Sequence, residues 1–334
     1  MQECTMKFNR NRRNFLKKTA AAALALPAIS SLEEYTLLAK ETDPATAPLP
    51  APGSKATMPV GTIGSMKISR LICGGNLIGG YAHSRDLIYV SKLLQAYFTD
   101  EKIMETWAQC EANGVNTMIF NPSNKNGLSV YTKYRARGGK IQFIGQLDPN
   151  KQAIADAVKE AVDAGAEGAV LVGNKGDLWV REGDLDSINK FVEAAKLEGL
   201  VVGIGGHELR THMKIEQAGI KADFYMKTLH ENNYWTARRP DQMKEVIDNY
   251  GIDNYWCMDA QGAIDFMKTV KKPWIAYKVL AAGAIHPKNG FRYAFSNGAD
   301  FCVVGMFDFQ VGEDVIVANE IIKGLQNRER PWMA

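Results

Sequence analysis

No apolar run in this 334-residue chain reaches the roughly 18 residues that a membrane-spanning helix needs. Cysteine is scarce: there are five, none in a CxxC pair, which argues against a zinc ribbon or an iron–sulfur centre. Cys73, Cys110, Cys257 and Cys302 are widely spaced and read as buried free thiols. No HxH or HExxH spacing occurs. Nor is there a lasting excess of charge. The formal net charge is +3, but residues 1–30 hold six basic residues (Lys7, Arg10, Arg12, Arg13, Lys17, Lys18) against one acid, Glu3, so the rest of the chain carries −2. The basic balance belongs to the N-terminal segment, and no electrostatic footprint for nucleic acid remains. What is there is ordinary for a globular protein: 46% apolar and 23% charged residues. The length suits a single barrel of about 250 residues with extensions.

Arg12-Arg13-Asn14-Phe15-Leu16-Lys17-Lys18 is followed by a short apolar run, Thr19 to Ile29, and by small residues at Ala28-Ile29-Ser30. This segment, residues 1–30, resembles a twin-arginine signal peptide. The resemblance implies a twin-arginine translocase as partner during export, a periplasmic or extracellular location, and no membrane span in the mature protein. A basic amphipathic N-terminus is the plainer alternative. Residues 31–58, rich in Ala, Pro and Thr, read as a linker, and 59–330 as one domain.

One phrase recurs in that domain: a helix ending in a small residue and Gly, then a β-branched apolar run. It appears at Glu111–Phe120, Asp163–Val172, Lys196–Ile204, Gln217–Met226 and Ser296–Val304. Gly closes each helix and the apolar run is a strand buried on both faces. With Arg70–Gly75, Ile141–Gln146 and Trp274–Leu280 the count is eight, at 70–75, 116–120, 141–146, 168–173, 200–205, 223–229, 274–280 and 301–306. Repeated units of this kind give parallel strands with right-handed crossovers. The expected fold is an α/β (β/α)8 TIM barrel with a closed parallel sheet; an open doubly wound sheet is the alternative. Two loops are long, 76–99 and an insertion at 230–273 that is expected to hold a helix over Asp241–Tyr250. Both would lie at the C-terminal face, where barrel chemistry gathers.

The wording of Met58–Asn76, of residues 99–120, of Gly203-Ile-Gly-Gly-His-Glu208, of Ile275–Gly283 and of Val304-Gly-Met306 resembles, in order, the aldo-keto reductases. That resemblance implies the barrel and an NADPH-dependent reduction by a Tyr proton donor, tuned by Lys and Asp, with a His beside the carbonyl. The strand ends depart from it. The second strand ends Phe120-Asn121-Pro122, the third at Gln146 where the family has Lys, and the fourth at Gly173-Asn174 where it commonly has His. Asn and Gln neither supply nor tune a proton near neutral pH.

Other residues carry the candidate chemistry. His207 and Glu208 close the fifth strand and His230 and Glu231 the sixth. Two imidazoles with a carboxylate are enough for a divalent metal at His207, Glu208 and His230; as neutral rings they would hydrogen-bond a polar ligand. Lys227 and Lys278, on the sixth and seventh strands, would polarise a carbonyl or form a Schiff base, unless each pairs with an acid. Gly283 and Gly305 follow the last two strands, where barrels bind phosphate through backbone amides, although tight turns also explain them. Asn76, Asn121, Gln146 and Asn174 close the first four strands and make a neutral hydrogen-bonding floor suited to sugars. Tyr81, Tyr234, Trp235, Tyr255, Trp256 and His83 on the long loops would add stacking and polar contacts, while His212 and His286 read as surface residues. The expectation is an exported enzyme on a small carbohydrate-like or carbonyl substrate, by lyase- or isomerase-type acid/base chemistry and with a divalent metal as one option. The alternatives are a divergent NADPH-dependent oxidoreductase and a catalytically silent glycan-binding barrel.

Overall fold

A computed structural model describes residues 58–81, 87, 89–234, 257–325 and 327–334. The signal peptide, the linker, His83, Trp235, Tyr255, Trp256 and the helix expected at 241–250 lie outside the described residues. The described chain opens with an antiparallel hairpin, β1 (Val60–Ile63) and β2 (Met66–Ser69). Eight parallel strands then close a barrel: β3 (Leu71–Gly74), β4 (Thr117–Phe120), β5 (Gln142–Leu147), β6 (Gly168–Leu171), β7 (Val201–Gly206), β8 (Phe224–Thr228), β9 (Trp274–Tyr277) and β10 (Phe301–Val304). β10 pairs back onto β3, Cys302 opposite Leu71, so the sheet is cylindrical and not open. All eight strands overlap the expected spans, the five marked by the repeated phrase and the three added beside them.

Helices cover the outside: α1 (Val90–Tyr97), α2 (Asp100–Ala112), α3 (Lys125–Ala136), α4 (Ile154–Asp163), α5 (Gly173–Arg181), α6 (Leu185–Leu197), α7 (Leu209–Gln217), α8 (Ala260–Thr269), α9 (Pro287–Ser296) and α10 (Val311–Gly324). Side-chain caps start several of them, as where Asp184 accepts from Ser187 N at 3.0 Å. The glycines of the phrase end them in the left-handed region, as at Gly165 (φ 87°) and Gly298 (φ 102°). α1 and α5 are not foreshadowed by the sequence pattern. The expected loop 76–99 contains α1, and α5 begins within the end of the fourth predicted strand.

Strand alternation divides the core in two. Ile72, Ile119, Ile144, Val170, Phe224, Met226, Ile275 and Val303 fill the cylinder, joined from below by Ile63, Met66 and Ile68 of the hairpin. Cys73, Met118, Phe143, Leu171, Tyr225 and Cys302 face the helical jacket, with Trp107 and Trp179. The described cysteines are buried and free. The hairpin plugs the N-terminal end. Beside it, residues past 330 pack inward: Ala334 joins the barrel core, and its carbonyl accepts from Arg70 Nη2 at 2.5 Å. Among the described residues no helix is long and apolar enough to cross a membrane.

Candidate functional site

A cavity of about 440 Å³ opens at the C-terminal end of the cylinder. Asn76, Asn121, Gln146, Asn174, His207, His230, Lys278, Gly283 and Gly305 all line it. Parity explains most of this set. Gln146 lies two residues beyond the inward Ile144, and Asn121 two beyond the inward Ile119. The same step carries Gly205 to His207 and Ile275 to Tyr277. Lys278 has the wrong parity. It lines the cavity because its backbone enters the left-handed region (φ 58°), followed by Ala281 (φ 45°) and Ala282 (φ 57°). Non-glycine residues there cost about 1–3 kcal/mol each, and such strain gathers at functional sites.

His207 is 6% exposed and its Nδ1 lies 2.8 Å from Asp177 Oδ2. Asp177 sits on α5, one turn after Gly173, and is 2% exposed. It accepts from His207 N at 2.9 Å, Glu208 N at 3.2 Å and Thr211 Oγ1 at 2.7 Å. Burial pushes this carboxyl up, but the bonds from His207 and Thr211 outweigh it and hold Asp177 below the usual carboxylate range. Burial drives His207 down to about 4, against the pull of Asp177 and with help from Lys278 and Lys227. The ring is therefore neutral at pH 7. An ionised Asp177 requires Nδ1 to carry the proton, which puts the lone pair on Nε2. A buried carboxylate orienting a neutral imidazole is the arrangement of a general base.

Tyr277 stands beside this pair, its ring centroid 5.3 Å from that of His207. Gly173 makes room for both. A Cβ there would lie 2.5 Å from Tyr277 Oη and 2.6 Å from His207 Cε1. Asp177 and Tyr277 were not singled out from the sequence. Asp177 precedes His207 by 30 residues on a helix without a strong start signal, and Tyr277 is one apolar-looking letter inside a buried strand. The only sequence clue is the inward parity of Tyr277.

Several expected roles need correction. His230 reaches the cavity wall, but its Nδ1 donates to Glu231 O at 2.8 Å and its Nε2 accepts from Cys257 N at 2.9 Å. Both nitrogens serve local backbone, so the ring positions the start of the 230–273 segment instead of moving a proton. Lys227 faces outward with Tyr225, because Phe224 and Met226 take the inward positions of β8. Its Nζ donates to His207 O at 2.8 Å, Thr228 O at 3.0 Å and Thr228 Oγ1 at 2.6 Å. Burial lowers its pKa. It borders a smaller cavity of about 260 Å³ with Glu208 and Asp259, not the main one, so the paired-lysine arrangement does not form. Glu208 turns away from the barrel to bond Arg181 Nε at 2.7 Å and Arg210 Nε at 2.5 Å. Among the described residues no group of three or more His, Cys, Asp or Glu is placed to hold a metal, so His207, Glu208 and His230 do not form the expected centre. Gly283 lines the cavity, yet its N–H donates to Leu280 O at 2.9 Å within a turn and offers nothing to a phosphate. Tyr234 packs edge-on against His230 at 5.8 Å, whereas Tyr81 lines the cavity and is 55% exposed. His212 is fully buried, not on the surface. It sits on α7 with Nε2 3.3 Å from Ile204 O, and burial lowers it to about 4.

The floor of amides is assembled as a group. Asn121 Oδ1 accepts from Ser123 N at 2.9 Å, and Asn174 Oδ1 is buried without a partner among the described residues. Lys175 and Asp148 pair at 2.9 Å, and Asp148 lines the same wall.

Fold and site together define a (β/α)8 barrel with a His–Asp pair in a polar cavity at its C-terminal mouth. No protein-family model and no curated protein matches the chain. Solved structures do. Two structures of proteins assigned as aldo-keto reductases from Pseudomonas aeruginosa are each 15% identical over 80% of this chain and 98% of theirs, with TM-scores of 0.56 and 0.57. A 3-deoxy-D-arabino-heptulosonate 7-phosphate synthase from Thermotoga maritima is 11% identical over 81% of this chain and 91% of its own, with a TM-score of 0.46. The reductase likeness shows the shared barrel fold; at this identity it carries no activity with it.

Proposed function

We propose that this chain is an acid/base enzyme of lyase or isomerase type acting on a small carbohydrate-like carbonyl compound. The observation that carries the reading is the 2.8 Å His207–Asp177 contact in the wall of a cavity floored by Asn76, Asn121, Gln146 and Asn174. His207 Nε2 takes the proton from the carbon beside the substrate carbonyl. The electron pair moves onto the carbonyl oxygen, where the Lys278 ammonium and the Tyr277 hydroxyl stabilise it. Where the α-carbon bears a hydroxyl, return of the proton to the former carbonyl carbon, with the α-hydroxyl proton passing to the former carbonyl oxygen, completes an isomerisation. Loss of a β-hydroxyl as water, protonated by the His207 imidazolium while the enolate pair forms the α,β double bond and the carbonyl is restored, completes an elimination. The amides hold hydroxyls without competing for protons. The test is solvent deuterium exchange at the α-carbon of a panel of keto-sugars, followed by NMR. Exchange is expected with the native protein and lost in His207→Ala; exchange unaltered by that substitution removes His207 from the role.

The second reading is a divergent NADPH-dependent reduction. What favours it is that Tyr, His, Lys and Asp do meet at this cavity, on β7, α5 and β9 instead of β4 to β6. Tyr277 would then give its proton to the carbonyl oxygen while hydride comes from NADPH. Against it, Phe307-Asp308-Phe309 follows β10 without a basic residue for a cofactor phosphate, and Asp308 is engaged by Tyr97 and Lys102. Fluorescence titration decides: saturable NADPH binding supports reduction, and none at millimolar cofactor disposes of it.

Export is part of the first reading and rests on Arg12-Arg13 and the apolar run after it. Residues 1–58 fused to a reporter should reach the periplasm, and Arg12→Lys with Arg13→Lys should hold it in the cytoplasm.

A further inference from the structure

One carboxyl at the cavity is used neither by the fold nor by the chemistry above. Asp314 lies in the first turn of α10, is 3% exposed and lines the main cavity. No hydrogen bond or ion pair from the described residues reaches its oxygens; burial, reinforced by Glu313, raises it to about 7. Buried carboxyls are normally bonded, so one left facing open space points to something that arrives from outside. One helical turn before it, Gln310 lines the same wall, and its Oε1 accepts from Phe307 N at 3.3 Å. The i, i+4 spacing sets an amide donor beside the carboxyl. Phe307 and Leu77 complete an otherwise apolar end of the cavity.

We propose that Asp314, with Gln310, forms a subsite for an amine group of the ligand, the class being a small amino-alcohol or amino-sugar. The proposal rests on the reading of this cavity as the site for a small polar substrate and names a group that substrate carries. An incoming ammonium supplies the missing partner and keeps the carboxyl ionised, forming a charge-assisted hydrogen bond in a water-poor wall. A hydroxyl on the next carbon accepts from the Gln310 amide.

The test uses the full chain and two measurements. By calorimetry, glucosamine should bind about tenfold more tightly than glucose, the worth of one charge-assisted bond. The near-isosteric Asp314→Asn should erase that preference and leave glucose binding within about twofold, with melting behaviour showing that the variant folds. Separately, carbodiimide with glycine ethyl ester at pH 7 should modify Asp314, mapped by mass spectrometry. N,N-dimethylethanolamine, a tertiary amine that cannot be coupled to the activated carboxyl, should protect it and glycerol should not. Equal binding of the two sugars, a preference that survives in Asp314→Asn, absence of labelling, or equal protection by glycerol each overturns the subsite. If amine protection holds while neither sugar binds, the subsite stands and the carbohydrate reading falls.

Discussion

The two ends of this barrel both bury charge, and they bury it in opposite ways. At the N-terminal end Arg330 is fully enclosed, and its guanidinium donates to Met267 O, Gly298 O, Lys272 O and Asp300 Oδ2 at 2.7–2.8 Å. Asp300 in turn accepts from Trp274 N at 2.9 Å and Met333 N at 2.8 Å. Arg70 lies over Phe301 and Trp332. These groups tie hairpin, strands and C-terminus into one plug. At the C-terminal end the polar groups are held but not fully matched: Asn174 Oδ1 and the Asp314 carboxyl have no partner among the described residues. Saturated polar networks rigidify, whereas unmatched ones cost stability and are retained where a ligand completes them. The closed end is built for stability, and the open end keeps the polar groups on which the proposed chemistry rests.

The sharpest way to test that contrast is Asp177→Asn. The amide leaves the geometry nearly intact but favours the wrong imidazole tautomer. On the acid/base reading kcat should fall by about 10³–10⁴-fold in turnover assays, with a far smaller change in KM. Equal losses in kcat from a substitution at the closed end would erase the distinction. Arg330→Met is the matching substitution there. Removing one partner of a buried pair strands Asp300, so unfolding free energy by urea titration should drop by about 3–5 kcal/mol while kcat of the folded fraction holds.

The pH response separates the ends further. His207 and His212 are each lowered from 6.5 to about 4, so between those values the unfolded chain binds protons that the fold excludes. Stability therefore falls as pH drops through the window, by about 1.4 kcal/mol per unit for each ring. Asp314 acts in the opposite sense. Its pKa is raised from 3.8 to about 7, so the fold keeps a proton the unfolded chain releases, and acidification over that range restores about 1.4 kcal/mol per unit. Asp177, lowered below 3.8, titrates beneath the window. The net expectation is a loss of about 1.4 kcal/mol per unit from pH 6.5 to 4, doubled in Asp314→Asn and nearly flat in His212→Gln. Denaturation midpoints across that range measure it, and a slope unaffected by Asp314→Asn contradicts the placement of that carboxyl.

The sequence made the cylinder legible because one phrase, helix–Gly–strand, repeats, and parity then placed Gln146, Asn121 and His207 at one mouth. Parity also says why Lys227 was misjudged: it counts one residue from the inward Met226, and so faces the jacket. Lys278 has the same outward parity and comes inward only through a left-handed backbone turn that no local residue preference announces. His212 looked solvated as a polar letter in a polar helix, yet it shares the buried face of α7 with Thr211 and Ile215. The His207–Asp177 pair was out of reach for a different reason. The contact joins a strand end to the preceding crossover helix, and nothing in the spacing of 30 residues marks it. The plug of the closed end was hidden likewise, since Arg330, Asp300 and Arg70 meet only once the barrel has closed.

The smallest effect belongs to the amide floor, and its form matters more than its size. On the proposed reading, Gln146 offers a neutral donor and acceptor to substrate hydroxyls that do not change charge during the reaction. It would then hold ground state and transition state alike, so its removal lowers uniform binding and leaves the barrier from the bound state in place. Gln146→Ala should raise KM by about three- to tenfold, the worth of one neutral hydrogen bond, with kcat within about twofold. A fall in kcat as large as that of Asp177→Asn would mean that the floor takes part in charge development, and that the open end works as a single unit instead of a base facing a passive cradle.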